Sequence, residues 1–175
     1  MFRINAFRMT MLVVFALAGC RAEVGSREFR STDGGFSVML PGKPEEQSQT
    51  TASAYGTVES HVFLVNNGES GFLTSYVDYP FELIRDSSVG VILDGVSVGI
   101  LSQSSGTLVS SVDIQFGDYD GKELVISSPG GESVLTVQIY LVGNRIYQLS
   151  VVSKVGADVS ADTTLYFESF ALLED

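Results

Sequence analysis

The chain predicts an α+β domain, an antiparallel β-sheet flanked by two helices. Three observations carry that prediction. Runs of alternating apolar and polar residues recur through both halves, most of them separated by short turns rich in Gly, Asn, Asp or Pro. Two segments, 86–105 and 160–170, instead carry apolar residues at helical spacing. After residue 32 no further shift in composition divides the chain, and a segment of that length can bury one core.

The elements follow in order. Asp33-Gly34-Gly35 is a turn signal, and Phe36, Val38 and Leu40 alternate with Ser37 and Met39 as in a half-buried strand. Pro41-Gly42-Lys43-Pro44 stops that strand. The polar run Gln47–Ser53 and the stretch Gly56–Val65 form the next two strands, or one long bent pair around Tyr55-Gly56. Asn66 to Gly71 is a hairpin turn, because Asn and Gly tolerate positive φ. Phe72–Tyr79 follows as a strand, with Phe72, Thr74, Tyr76 and Asp78 on one face, and Pro80 ends it.

Segment 86–105 places Val89, Ile92, Leu93, Val96 and Ile100 along one helical face. Asp86, Ser87 and Ser88 offer N-caps. Gly90, Gly95 and Gly99 each cost the helix about 1 kcal/mol against Ala. Close packing of the helix on the sheet would account for Gly95 and Gly99. The second half reads as a meander of four strands: Leu108–Phe116, Lys122–Ser127, Glu132–Val142 and Arg145–Ser153. Its turns fall at Gly117 to Gly121, Pro129-Gly130-Gly131 and Gly143-Asn144. The last segment, Ser160–Phe170, sets Tyr166, Phe167 and Phe170 near one helix face, with Asp158 or Ser160 as the cap.

The N-terminus carries the sharpest signal. Arg3 and Arg8 precede the apolar run Met9–Ala18, and Leu17-Ala18-Gly19-Cys20 closes it with the only cysteine of the chain. The run is too short to span a bilayer and has the layout of a secretory signal. It resembles the bacterial lipobox. The resemblance implies cleavage between Gly19 and Cys20, with lipidation of Cys20. Two or more acyl chains anchor a protein stably where one holds it only marginally. The expected organisation is a signal peptide at 1–19, lipidated Cys20 with a short tether at 20–32, and a single domain at 33–175. Arg21 stands where inner-membrane retention often uses Asp, which leans the sorting slightly toward the outer membrane.

Removing residues 1–19 takes away two arginines and no acid, leaving eight basic against 21 acidic residues and a formal charge of −13. Such a chain repels nucleic acid and anionic headgroups. With Cys20 used for lipid, thiol and disulfide chemistry are excluded downstream.

Candidate chemistry is sparse. His61 is the only histidine and sits mid-strand, without the partners that a triad or zinc site needs. The best cation candidate is Asp118-x-Asp120-Gly121, with Asp113 and Glu123 nearby. Hard ions want several oxygens on a tight loop, but the other EF-hand ligands are missing, and a hairpin turn with solvated carboxylates accounts for the same residues. No glycine-rich phosphate loop and no G-x-S-x-G elbow occurs. Tyr55, Tyr76, Tyr79, Phe81, Tyr140 and Tyr147 either line a groove or, as strand aromatics commonly do, fill the core. No cofactor is implied.

Two stretches are distinctive together: Phe36 through Leu40 with Pro41-Gly42-Lys43-Pro44, and Gly143-Asn144-Arg145-Ile146-Tyr147-Gln148-Leu149 followed by Phe167-Glu168-Ser169-Phe170. In these the chain resembles PsbP-like domains over nearly the whole exported part. The resemblance implies an α/β/α sandwich. It also implies a non-enzymatic accessory or assembly role beside a membrane complex. The expectation is therefore a lipid-anchored cell-envelope binding or accessory protein. It would have the membrane and an envelope protein as partners and no nucleic acid. A divalent-cation binder at Asp118 and Asp120 and, last, an envelope hydrolase are the alternatives.

Overall fold

The computed structural model describes residues 25–53, 56–68, 70–157 and 160–174. Gly19 and Cys20, the signal peptide, Tyr55 and Asp158 lie outside the described residues. The elements run β1 Arg27–Ser31, β2 Phe36–Leu40, β3 Glu45–Ser53, β4 Gly56–Asn66, β5 Ser70–Asp78, α1 Phe81–Arg85, α2 Val89–Ser104, β6 Thr107–Phe116, β7 Tyr119–Ser127, β8 Ser133–Val142, β9 Arg145–Lys154, α3 Ser160–Glu168 and β10 Ala171–Leu172.

The strands form two antiparallel sheets. The large one has the order β3-β4-β5-β9-β8-β7-β6, and the small one β1-β2-β10. The link between β5 and β9 makes the topology: β5 pairs with the last long strand, so the meander β6 to β9 folds back beside the first three strands. Neighbouring strands are antiparallel throughout, but β5 and β6, four places apart, run the same way, so α1 and α2 form the crossover between them.

Strand alternation divides the core across the large sheet. One face carries Phe63, Val65, Phe72, Tyr76, Tyr140, Tyr147, Leu149 and Val151, covered by β2 with Phe36, Val38 and Leu40, and by Tyr166 and Phe170 from the end of the chain. The other face carries Leu124, Ile126, Val137, Ile139, Leu141 and Ile146, covered by Ile92 and Leu93 of α2. Burial of these side chains stabilises the domain by about 1.5–3 kcal/mol for each large one. The layering is helix, sheet, then a small sheet with a helix.

Four features depart from the sequence reading. A third helix, α1, follows Pro80, its N-cap, whose carbonyl accepts from Leu83 N. Pro80 thus ends β5 and also starts a helix, a position that its fixed φ suits. Residues Arg27–Ser31, read as tether, instead form β1 on β2. Phe29 draws them in, its ring 4.9 Å from Phe63, while Arg27, Glu28 and Arg30 leave the strand polar on its outside. The β6–β7 turn is shorter than Gly117 to Gly121, since β7 already starts at Tyr119, opposite Phe116. Gly117, at φ +57°, makes the turn. Gly121 lies inside β7, where a Cβ would strike the Tyr140 ring and Ile139 O. The last difference concerns Gly95 and Gly99, which do not pack closely, because a Cβ on either meets nothing within 4 Å.

Candidate functional site

Serine marks both ends of α2. Ser88 caps it, its Oγ accepting from Val91 N at 3.4 Å, and Ser105 ends it in the left-handed region at φ 53°. The helix packs on β7 and β8, through Ile92 and Leu93. That leaves the neighbouring strands of the same face, β9, β5 and β4, only partly covered alongside it.

Two adjoining hollows result. One, of about 310 Å³, lies between Gly95, Val96 and Gly99 of α2 and a floor of Ser75, Val77, Ile146 and Gln148. The next, of about 370 Å³, continues past Ile100 and Gln103 over Leu64, Leu73, Ser150 and Val152. Both share Ile100, Gln103 and Gln148, so they form one groove along the helix. Its lining is small aliphatic side chains with a few hydroxyls and amides. Gln148 donates to Ser150 Oγ at 2.9 Å within it. Tyr79 is its single aromatic among the described residues, and burial raises the pKa of that phenol.

Among the described residues, the other candidate aromatics fall elsewhere. Tyr76, Tyr140 and Tyr147 belong to the core on the opposite face, and Phe81 projects from α1 with 70% of its surface exposed. Of the two readings, Tyr76, Tyr140 and Tyr147 follow the core one, and the groove is not lined by them.

A second hollow, of about 560 Å³, lies between the start of α2 and the β6–β7 hairpin, lined by Gly90, Leu93, Asp113, Gln115, Asp120 and Lys122. Lys122 Nζ bridges Asp94 Oδ1 at 2.6 Å and Asp113 Oδ1 at 3.2 Å, and these hydrogen bonds, Asp94 first, raise its pKa. It ties α2 to the hairpin.

The strand register scatters the proposed cation ligands. Asp120 lies opposite Gln115, whose amide reaches it at 3.4 Å. Asp118 stands exposed in the turn. Asp113 faces Lys122, and Glu123, one residue on and so on the opposite face, accepts from Gln138 Nε2 at 2.8 Å. Among the described residues no group of three or more His, Cys, Asp or Glu gathers to hold a metal. The same carboxylates are open to solvent or paired with amides and a lysine, so they lack the dry, convergent setting of an acid–base pair.

His61 lies flat on Tyr76, ring centres 4.6 Å apart, and its Nδ1 is 3.0 Å from Ser48 Oγ. Its role here is packing at the sheet margin.

The Gly-Asn-Arg stretch is structural. Asn144 Nδ2 donates to Tyr79 O at 2.8 Å, and Tyr79 N donates back to Asn144 O at 2.9 Å. Arg145 Nη1 donates to Asp33 O and Gly34 O, and the Tyr147 hydroxyl donates to the same Gly34 O at 2.7 Å. One arginine and one tyrosine thereby hold the turn before β2 against the large sheet. The turn that leads into Phe36 is thus fixed by the Gly-Asn-Arg stretch and by Tyr147.

The fold is PsbP-like. The solution structure of cyanobacterial PsbP (CyanoP) from Synechocystis sp. PCC 6803 matches with a TM-score of 0.58 and 10% identity, over 90% of this chain and 98% of that one. A crystal structure from Bacteroides thetaiotaomicron matches at 0.48 and 14% identity, over 87% of this chain and 50% of that one. A Pseudomonas aeruginosa protein of unknown function matches at 0.35 and 10%, over 80% and 90%. No family model matches the chain, and no curated protein matches its sequence. Among the described residues no helix is long and apolar enough to cross a membrane.

Proposed function

We propose that this protein is a lipid-anchored accessory protein of the cell envelope that binds a partner through the groove beside α2. The groove carries the reading: α2 covers only part of its sheet face, and Gly95 and Gly99 keep the adjoining channel open at the cost of helix stability. A concave, partly apolar site with a few polar groups is the usual form of a binding site. The accessory roles implied by the PsbP-like resemblance point the same way. So do the signal-like N-terminus, the lipobox at Gly19 and Cys20, and a net charge that disfavours nucleic acid and anionic membranes.

The anchor is tested by acyl labelling of the full chain against Cys20→Ser. Loss of label and of membrane fractionation is expected, and an unchanged membrane fraction overturns it. The groove is tested by cross-linking in native membranes, comparing the wild type with Gly95→Leu/Gly99→Leu. A reproducible cross-linked partner lost in the variant supports the reading. A partner retained by a folded variant, or no reproducible partner at all, overturns it.

A further inference from the structure

The two edges of the large sheet are built differently. β3, at one edge, opens with Glu45-Glu46 and continues with Gln, Ser and Thr. Such a strand gives an added strand little to pack against. β6, at the other edge, reads Thr-Leu-Val-Ser-Ser-Val-Asp-Ile-Gln-Phe and holds a single charge, Asp113. Long edges exposing apolar side chains are normally blunted by Lys, Pro or bulges. β6 has only a bulge near Val109, where the register to β7 shifts between Leu108 and Ser110. From Ser110 to Phe116 the pairing is regular, so the outward backbone groups of that stretch form an open template.

The side chains along this stretch are sorted by face. Val112, 49% exposed, points the same way as Ile114 and Phe116, which pack on the core. On the opposite face lie Asp113, its side chain 88% exposed, and Gln115, with Asp120 one strand inward and Asp94 on α2 beyond. Lys122 is the one base among Asp94, Asp113 and Asp120, and it is already held by two of them.

We infer that the Ser110–Phe116 edge of β6 is a β-augmentation site for an extended segment of another polypeptide. That segment alternates apolar residues, set beside Val112 and Phe116, with lysine or arginine, set beside Asp113. Main-chain pairing supplies the affinity and the alternating side chains supply the specificity. Charge complementarity selects the occupant. A second copy of this chain would bring a formal −11, or −13 without residues 1–19, toward the same acidic edge, whereas a basic strand is attracted to it. This rests on the reading of the chain as a binding protein but not on the α2 groove, which lies beside β9, β5 and β4 at the other side of the helix.

The test is hydrogen exchange of the full chain in nanodiscs with short synthetic peptides. A peptide alternating lysine with valine and threonine should slow exchange of Ser110–Phe116. Glutamate in place of lysine should weaken binding about tenfold or more, and N-methylation of alternate amides should abolish protection. Asp113→Lys should reverse the preference toward the glutamate peptide. The Gly95→Leu/Gly99→Leu variant should bind the lysine peptide as wild type does, so failure of the groove and failure of the edge are told apart. No protection by the lysine peptide, equal protection by the methylated one, or protection that rises with protein concentration alone, as for a second copy, would overturn the proposal.

Discussion

Arg145 and Asp78 stand opposite each other in the β5–β9 register and join through two parallel bonds, Nε to Oδ1 at 2.6 Å and Nη2 to Oδ2 at 2.7 Å. The guanidinium also lies 4.5 Å from the centre of the Tyr76 ring. Its remaining nitrogen, Nη1, carries the two carbonyl bonds to Asp33 and Gly34. The bond to Asp78, outweighing burial, raises the arginine's pKa further above its ordinary value. One side chain thus joins the small sheet to the large one, and it needs the forked geometry to do so.

Arg145→Lys keeps the charge and loses the fork. It should cost about 1–3 kcal/mol, because the carbonyls of the β1–β2 turn lose their donor. Asp78→Asn should cost less, about 1 kcal/mol or under, since Asp78 is half exposed and its ion pair is screened. Urea midpoints of the two variants give the comparison. A lysine variant as stable as wild type would remove Arg145 from this role.

Tyr166 is fully buried, and its hydroxyl donates to Leu73 O at 2.7 Å while accepting from Thr74 at 2.8 Å. The bonds tie α3 to β5 through the core. Tyr166→Phe leaves the ring packing intact and should cost about 1–2 kcal/mol, the price of a buried carbonyl and hydroxyl losing their partner. Thermal unfolding of the variant at neutral pH measures this, and an unchanged transition would show that water replaces the phenol.

Alkaline pH should unfold the domain before its tyrosines titrate freely. Burial pushes Tyr140 up to about 12 and raises Tyr76, Tyr79, Tyr147 and Tyr166 above the ordinary 10. The unfolded chain releases these protons near pH 10 and the folded one only later. Between those values the unfolded state binds fewer protons, so stability falls as pH rises. It is fully present below pH 10 and lost progressively toward about pH 12 for Tyr140. Absorbance at phenolate wavelengths should rise cooperatively with loss of circular dichroism. A gradual rise in a folded protein would contradict it.

Much of this architecture was legible in the residues. Alternation in β2, β5, β8 and β9 reports real faces, because each of these strands is buried on at least one side and pays for a polar residue placed inward. β1 was hidden because its one inward apolar anchor, Phe29, is flanked by charge, as outer strands often are. α1 was hidden by its length, five residues, too few for periodicity. The groove beside α2 has no sequence signature. It arises from how far the helix reaches across the sheet, which depends on long-range packing on β7 and β8.

Gly121 and Gly95 look alike in the sequence, each beside an aspartate, and the structure gives them opposite roles. Gly121 lies under the Tyr140 ring, in contact with Tyr140 and Ile139 O, so a methyl group there must displace a core aromatic or the β8 backbone. Gly121→Ala should therefore lose about 1–3 kcal/mol, the usual cost of overpacking. Gly95 faces open space in a helix, so Gly95→Ala should gain up to about 1 kcal/mol by propensity alone. Chemical denaturation of the two variants side by side should move the midpoints in opposite directions. If Gly95→Ala also destabilises, the channel beside α2 is narrower than its lining indicates. If it stabilises and partner cross-linking falls as well, the glycine is kept for the groove and not for the helix.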